Sequence, residues 1–138
     1  GTVQWMAPEV LSNFFNPDTS PYNRLCDVYS FGILLWELTH CSCPYADTGM
    51  DQMEIAKAVM TQNLRPTMSD DIQPLVRQLI EACWDLDPDS RPDFKQCIQV
   101  LRQVERQLGN SSSFKATLSK VPSSRLTTLS SVGSAGMQ

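Results

Sequence analysis

The chain has 138 residues, 41% of them hydrophobic and 19% charged, a globular composition long enough for one modest core and unlike that of a disordered chain or a multidomain assembly. Eleven Lys and Arg against fifteen Asp and Glu give a formal charge of −4. No basic field is available to hold nucleic acid or anionic lipid, which argues against both as partners.

The longest apolar run, around Ile33-Leu34-Leu35-Trp36, falls far short of the roughly 20 residues needed for a membrane span. The opening residues lack the charged start and apolar run of a signal peptide, and the chain reads as part of a longer one.

In chain order, residues 13–21, with adjacent Phe14 and Phe15 followed by Pro17, Asp18 and Pro21, predict a surface loop. The Phe pair either meets a partner or tucks back onto the body. Residues 27–38 predict a helix with Asp27 at its N-cap, where a carboxylate accepts from unpaired backbone N–H groups. Val28, Phe31 and Leu35 form one stripe and Tyr29, Ile33 and Trp36 another, so this helix belongs at the centre of the core.

Residues 52–62 predict a helix with Met53, Ile55, Val59 and Met60 on its inner side and a stop near Asn63 and Arg65-Pro66. Ile72, Leu75, Val76, Leu79, Ile80, Cys83 and Trp84 recur at helical spacing, and Asp70 with Gln73 forms a capping box. Asp87-Pro88-Asp89-Ser90 is a turn. A last helix starts at Asp93 with Gln96 three residues on, points Phe94, Cys97, Ile98, Leu101, Val104 and Leu108 inward, and stops at Gly109-Asn110. No alternating stretch suggests a sheet, so the fold is mainly α.

From Ser111 onward Ser and Thr dominate and Asp and Glu are absent, predicting a disordered tail over residues 109–138. It is either a solvated end or a phosphorylated segment, since Arg125 precedes the hydroxyl of Thr128 by three residues. Cys26, Cys41, Cys43, Cys83 and Cys97 sit in apolar or helical patterns, as reduced packing cysteines do, which fits a cytoplasmic chain. His40-Cys41-x-Cys43 offers too few ligands for zinc. There is one histidine, no glycine-rich phosphate loop and no nucleophile elbow, so composition leaves function open.

The motifs go further. Ala7-Pro8-Glu9, preceded by Gly1-Thr2-Val3-Gln4-Trp5-Met6, resembles the end of a protein kinase activation segment. Asp27-Val28-Tyr29-Ser30-Phe31-Gly32 with Trp36-Glu37-Leu38 resembles the large central helix of that fold, and Pro44-Tyr45 the turn after it. Leu64-Arg65-Pro66, Cys83-Trp84 and Asp87-Pro88-x-x-Arg91-Pro92-x-Phe94 are similar to its closing helices, in order and spacing. The resemblance covers residues 1–108 and is strongest to the tyrosine-kinase-like group, which includes Raf-like and mixed-lineage kinases.

It implies the C-terminal helical-lobe portion of the two-lobed α+β kinase fold, from a parent that transfers the γ-phosphate of ATP to protein Ser or Thr with Mg²⁺. The catalytic Asp, the lysine and the metal-binding Asp of the family would lie upstream of Gly1, so no catalytic or metal residue is expected here and the chain alone should be inactive. Gly1-Thr2 implies Ser/Thr acceptors, Thr2 otherwise being a generic loop hydroxyl. Gly1, Thr2, Val3 and Trp5 are the substrate-binding candidates, with packing as the plainer reading for Trp5 and Val3 and the favoured one for Met6. Ala7 and Pro8 are structural. Glu9 is expected to pair with Arg91 and pin the activation segment, a fork-shaped guanidinium suiting a carboxylate, and Asp27 to accept from the catalytic loop. The alternative is a non-catalytic pseudokinase or truncated module that binds signalling partners; a chain that folds poorly alone, through bared faces of helix 27–38, is the third reading.

Overall fold

Asn23 marks the start of the longest buried helix: its side-chain oxygen accepts the Leu25 N–H at 2.7 Å, giving the first turn a partner ahead of Asp27. The computed structural model describes residues 3–17 and 23–109. Its helices are α1 (Pro8–Phe15), α2 (Leu25–His40), α3 (Gln52–Gln62), α4 (Pro74–Cys83) and α5 (Phe94–Gly109), with short 3-10 turns at Val3–Trp5 and Pro88–Ser90. No strand occurs among the described residues, in keeping with the mainly α expectation.

The chain divides into two units, Gly1–Leu101 and Arg102–Gln138; of the second, the structure describes the remainder of α5, helical through Gly109. Residues 110–138, including Arg125 and Thr128, lie outside the described residues, as do Gly1, Thr2 and 18–22.

In the first unit α2 is central. Val28, Tyr29, Gly32, Ile33 and Trp36 are buried, the two expected stripes supplying most of them. Gly32 is needed where α2 meets α4, because a Cβ there would lie 2.7 Å from Cβ of Cys83. Val28 also joins Leu79, Cys83 and Cys97 in one apolar cluster, flanked by Phe31, Leu35, Val100 and Leu101. A second cluster gathers Leu11, Tyr45, Ile55, Ala56 and Val59 between α1 and α3, with Val3, Met6, Met60 and Leu64 packed against it. Burying these side chains contributes about 1.5–3 kcal/mol for each large aliphatic one.

Several expectations are corrected. Asp27 is not an N-cap: α2 begins at Leu25, and Asp27 stands exposed in its first turn, where its charge still suits the helix dipole. The helix also runs two residues past Leu38, and Cys41 stops it in the left-handed conformation at φ 48°. The surface loop expected from residue 13 starts later, because α1 continues through Phe15; Phe14 and Phe15 meet edge to face and are both exposed. Asp70 is not the cap of α4, which begins at Pro74. Gln73 is itself the cap of α4, accepting the Val76 N–H at 2.9 Å ahead of Pro74, whose missing N–H suits the first turn. Asp70 instead lies 3.8 Å from Arg77.

Met53 is exposed although spaced for the inner face of α3; Ile55, Ala56, Ala58 and Val59 are the buried residues. Phe94, Ile98 and Leu108 of α5 are likewise exposed, whereas Cys97 and Val104 are buried. Cys41 and Cys43 are exposed, so they are not packing cysteines; all five cysteines are free. Where capping was local, pattern and structure agree: Asp93 and Gln96 exchange both bonds of their box, at 2.8 and 2.9 Å.

Candidate functional site

Arg91 follows the Pro88–Ser90 turn, which is shaped by one carboxylate: Asp87 accepts the Asp89 N–H and the Ser90 hydroxyl, each at 3.0 Å. The guanidinium that emerges donates from all three of its nitrogens. Nη1 and Nη2 donate to the two Glu9 oxygens at 2.6 and 3.0 Å, Nη1 also to the Leu25 carbonyl at 2.9 Å, and Nε to the Asp85 carbonyl at 2.9 Å. Arg91 thus joins the first turn of α1, the start of α2 and the α4–α5 connection.

Its side chain is fully buried while that of Glu9 is 31% exposed. The pair is therefore enclosed on the cation's side and wet on the carboxylate's. The Tyr29 ring lies under this site, with the Arg91 guanidinium 5.1 Å and that of Arg65 5.0 Å from its centroid. Arg65 is anchored by donating to the carbonyls of Trp84 and Leu64, at 3.0 and 2.8 Å. Burial pushes the Tyr29 phenol above its ordinary value, with Arg65 opposing, and burial pushes Tyr45 up strongly as well.

The segment before α1 is fastened at a second place. Trp5 Nε1 donates to Glu37 Oε2 at 3.1 Å, and the Ser30 hydroxyl donates to the Trp5 carbonyl at 2.7 Å. Both partners are on α2. Val3 and Met6 are partly buried and pack against the apolar cluster of α1 and α3. Ala7 and Pro8 are buried, and the Ala7 carbonyl accepts the Val10 and Leu11 N–H groups to open α1. Asp27 faces solvent.

Sequence reasoning missed the parts played by Glu37, Ser30, Tyr29 and Arg65. Each stood inside a motif, but nothing in residue spacing connects Glu37 with Trp5. Among the described residues no group of three or more His, Cys, Asp or Glu side chains forms a cation site, and no helix is long and apolar enough to cross a membrane.

The family model for protein tyrosine and serine/threonine kinases matches residues 1–101, the stretch that holds both fastenings. The chain belongs to the protein kinase family. This kinase segment is 42% identical over 105 residues to the serine/threonine/tyrosine-protein kinase HT1 of Arabidopsis thaliana, covering 76% of the chain and 25% of that protein. It is 36% identical over 110 residues to the serine/threonine-protein kinase STY17 of the same plant, covering 80% of the chain and 18% of the relative. The dual specificity protein kinase shkD of Dictyostelium discoideum is 38% identical over 104 residues, with 75% and 13% covered. The chain spans a quarter or less of the length of these relatives. The match fits a helical-lobe part of a tyrosine-kinase-like kinase, and the helices described are of that lobe.

Proposed function

We propose that this chain is the substrate-docking and scaffolding part of the helical lobe of a serine/threonine protein kinase. The observation that carries the reading is the double fastening of the segment before α1, by Glu9 to Arg91 and by Trp5 to Glu37 and Ser30. A loop that must present a peptide hydroxyl repeatedly in one geometry gains from such preorganisation. Residues 1–108 make up the kinase portion and 109–138 the tail.

ATP and Mg²⁺ supply the γ-phosphoryl group and the charge neutralisation that its transfer requires when bound by the rest of the domain. The residues here act on the peptide side. By the family resemblance Gly1-Thr2 supplies the hydroxyl of the acceptor region, Trp5 and Val3 shape the wall against the residue after the acceptor, and Glu37 orients the indole. Asp27, exposed in the first turn of α2, accepts from the catalytic loop of the parent in this reading. The substrate is a protein, and the free cysteines suit the cytoplasm.

A kinase domain carrying this chain, incubated with labelled ATP and peptides that differ in acceptor, tests the reading. Labelling of Ser and Thr peptides, with a raised KM for Trp5→Ala, is expected. Absence of labelling with peptide binding retained would turn the reading to a non-catalytic interaction module.

A further inference from the structure

Cys83, the last residue of α4, and Cys97, in the first turn of α5, are 0% and 1% exposed. Their sulfurs lie 3.8 Å apart, between Val28 and Leu79. The docking segment uses neither thiol. A disulfide needs about 2.05 Å between sulfurs, so closure requires each to move by about 1 Å. Cβ of Cys83 is set against Gly32 of α2, where a Cβ would lie only 2.7 Å from it.

We infer that Cys83 and Cys97 form a modification site for hydrogen peroxide, which converts the two thiols into a disulfide joining α4 to α5. One sulfur, as thiolate, attacks a peroxide oxygen; the O–O bond breaks, leaving a sulfenic acid and hydroxide. The second thiolate attacks that sulfur and expels its hydroxyl group, forming the S–S bond. The two thiol protons and both peroxide oxygens leave as water, so the two electrons lost by the sulfurs are those gained by the peroxide.

Burial raises both thiols above their ordinary range, and the contact with Cys83 works against that rise at Cys97. Held side by side, the second thiol meets the sulfenic acid as an intramolecular partner, ahead of any thiol in solution. The bond closes a short loop that carries Asp85 and Arg91, the residue on which Glu9 is held. Oxidation therefore tethers the segment that anchors the docking loop, and the closed loop restricts the unfolded chain.

The experiment treats the full chain with hydrogen peroxide in native buffer and in urea, alkylates the remaining thiols and maps the peptides by mass spectrometry. In native buffer a dithiothreitol-reversible link between the Cys83 and Cys97 peptides is expected, with a higher melting temperature. Cys97→Ser should abolish both. Exposed Cys41 and Cys43 report that the oxidant is active. Their oxidation with Cys83 and Cys97 still alkylatable would overturn the inference, as would a link that forms equally fast in urea.

Discussion

Glu9 and Arg91, 82 positions apart in sequence, meet through two parallel hydrogen bonds of 2.6 and 3.0 Å. The cation is sealed from solvent and the carboxylate is not. Arg91→Ala strands the Leu25 and Asp85 carbonyls as well as Glu9, and should cost about 3–5 kcal/mol, read as the shift of a urea midpoint. Arg91→Lys should recover little, since an ammonium cannot fork. A shift no larger than that of a surface substitution would show that the pair does not hold α1 to the lobe.

Trp5 is held to α2 through its ring nitrogen. Trp5→Phe keeps much of the aromatic bulk but removes the donor, and should cost about 0.5–1.5 kcal/mol. Glu37→Ala should raise KM for peptide in a kinase domain carrying the chain while KM for ATP stays put. Equal changes in both would place Glu37 in general stability and not in orienting the indole.

Gly32→Ala drives a methyl to within 2.7 Å of Cβ of Cys83. Overpacking of this kind costs about 1–3 kcal/mol. Cys83→Ala should not rescue it, because the clashing Cβ remains; a thermal melt of single and double variants checks both statements.

Alkaline pH should unfold the chain. Tyr29, Tyr45 and Cys83 are raised by burial, so above pH of about 9–10 the unfolded chain releases protons that the folded chain retains. The stability they contribute is full below those ordinary values and falls as pH rises past them. Tyr45→Phe should flatten that limb in a series of urea melts. On the acid side Asp71, lowered by the Ser69 hydroxyl, works with the opposite sign: its contribution is present above its ordinary value and is lost as pH falls through the lowered one.

Phe31, Leu34, Leu35 and Leu38 fall at i, i+3, i+4 and i+7 on α2, and Leu34 and Leu38 are exposed. The isolated chain should bind a hydrophobic dye, and Leu34→Lys with Leu38→Glu should reduce that signal. Unchanged dye fluorescence would locate the sticky surface elsewhere, at Phe14 and Phe15 for example.

Four of the five described α-helices and the family were legible in the sequence because they rest on local signals, whereas α1 was not. The period of α4, the Asp93–Gln96 box and the ordered kinase motifs each involve residues close in the chain. The Asp51–Glu54 box of α3 carries the same kind of signal and was there to be read. Helix starts were less legible: Asp27 and Asp70 have good capping chemistry, yet Asn23 accepts from the first turn of α2 and Gln73 caps α4.

Only the tertiary structure decided which spaced apolar residues were buried and what each motif residue touched. Met53, Phe94 and Ile98 keep helical spacing but meet no core among the described residues that hides them, since burial depends on what the other elements bring. Motif position suggested Arg91 for Glu9, but not that the same guanidinium also holds Leu25 and Asp85 or lies over Tyr29. Those contacts arise when three separate segments converge, and a guanidinium with several donors settles where its acceptors meet.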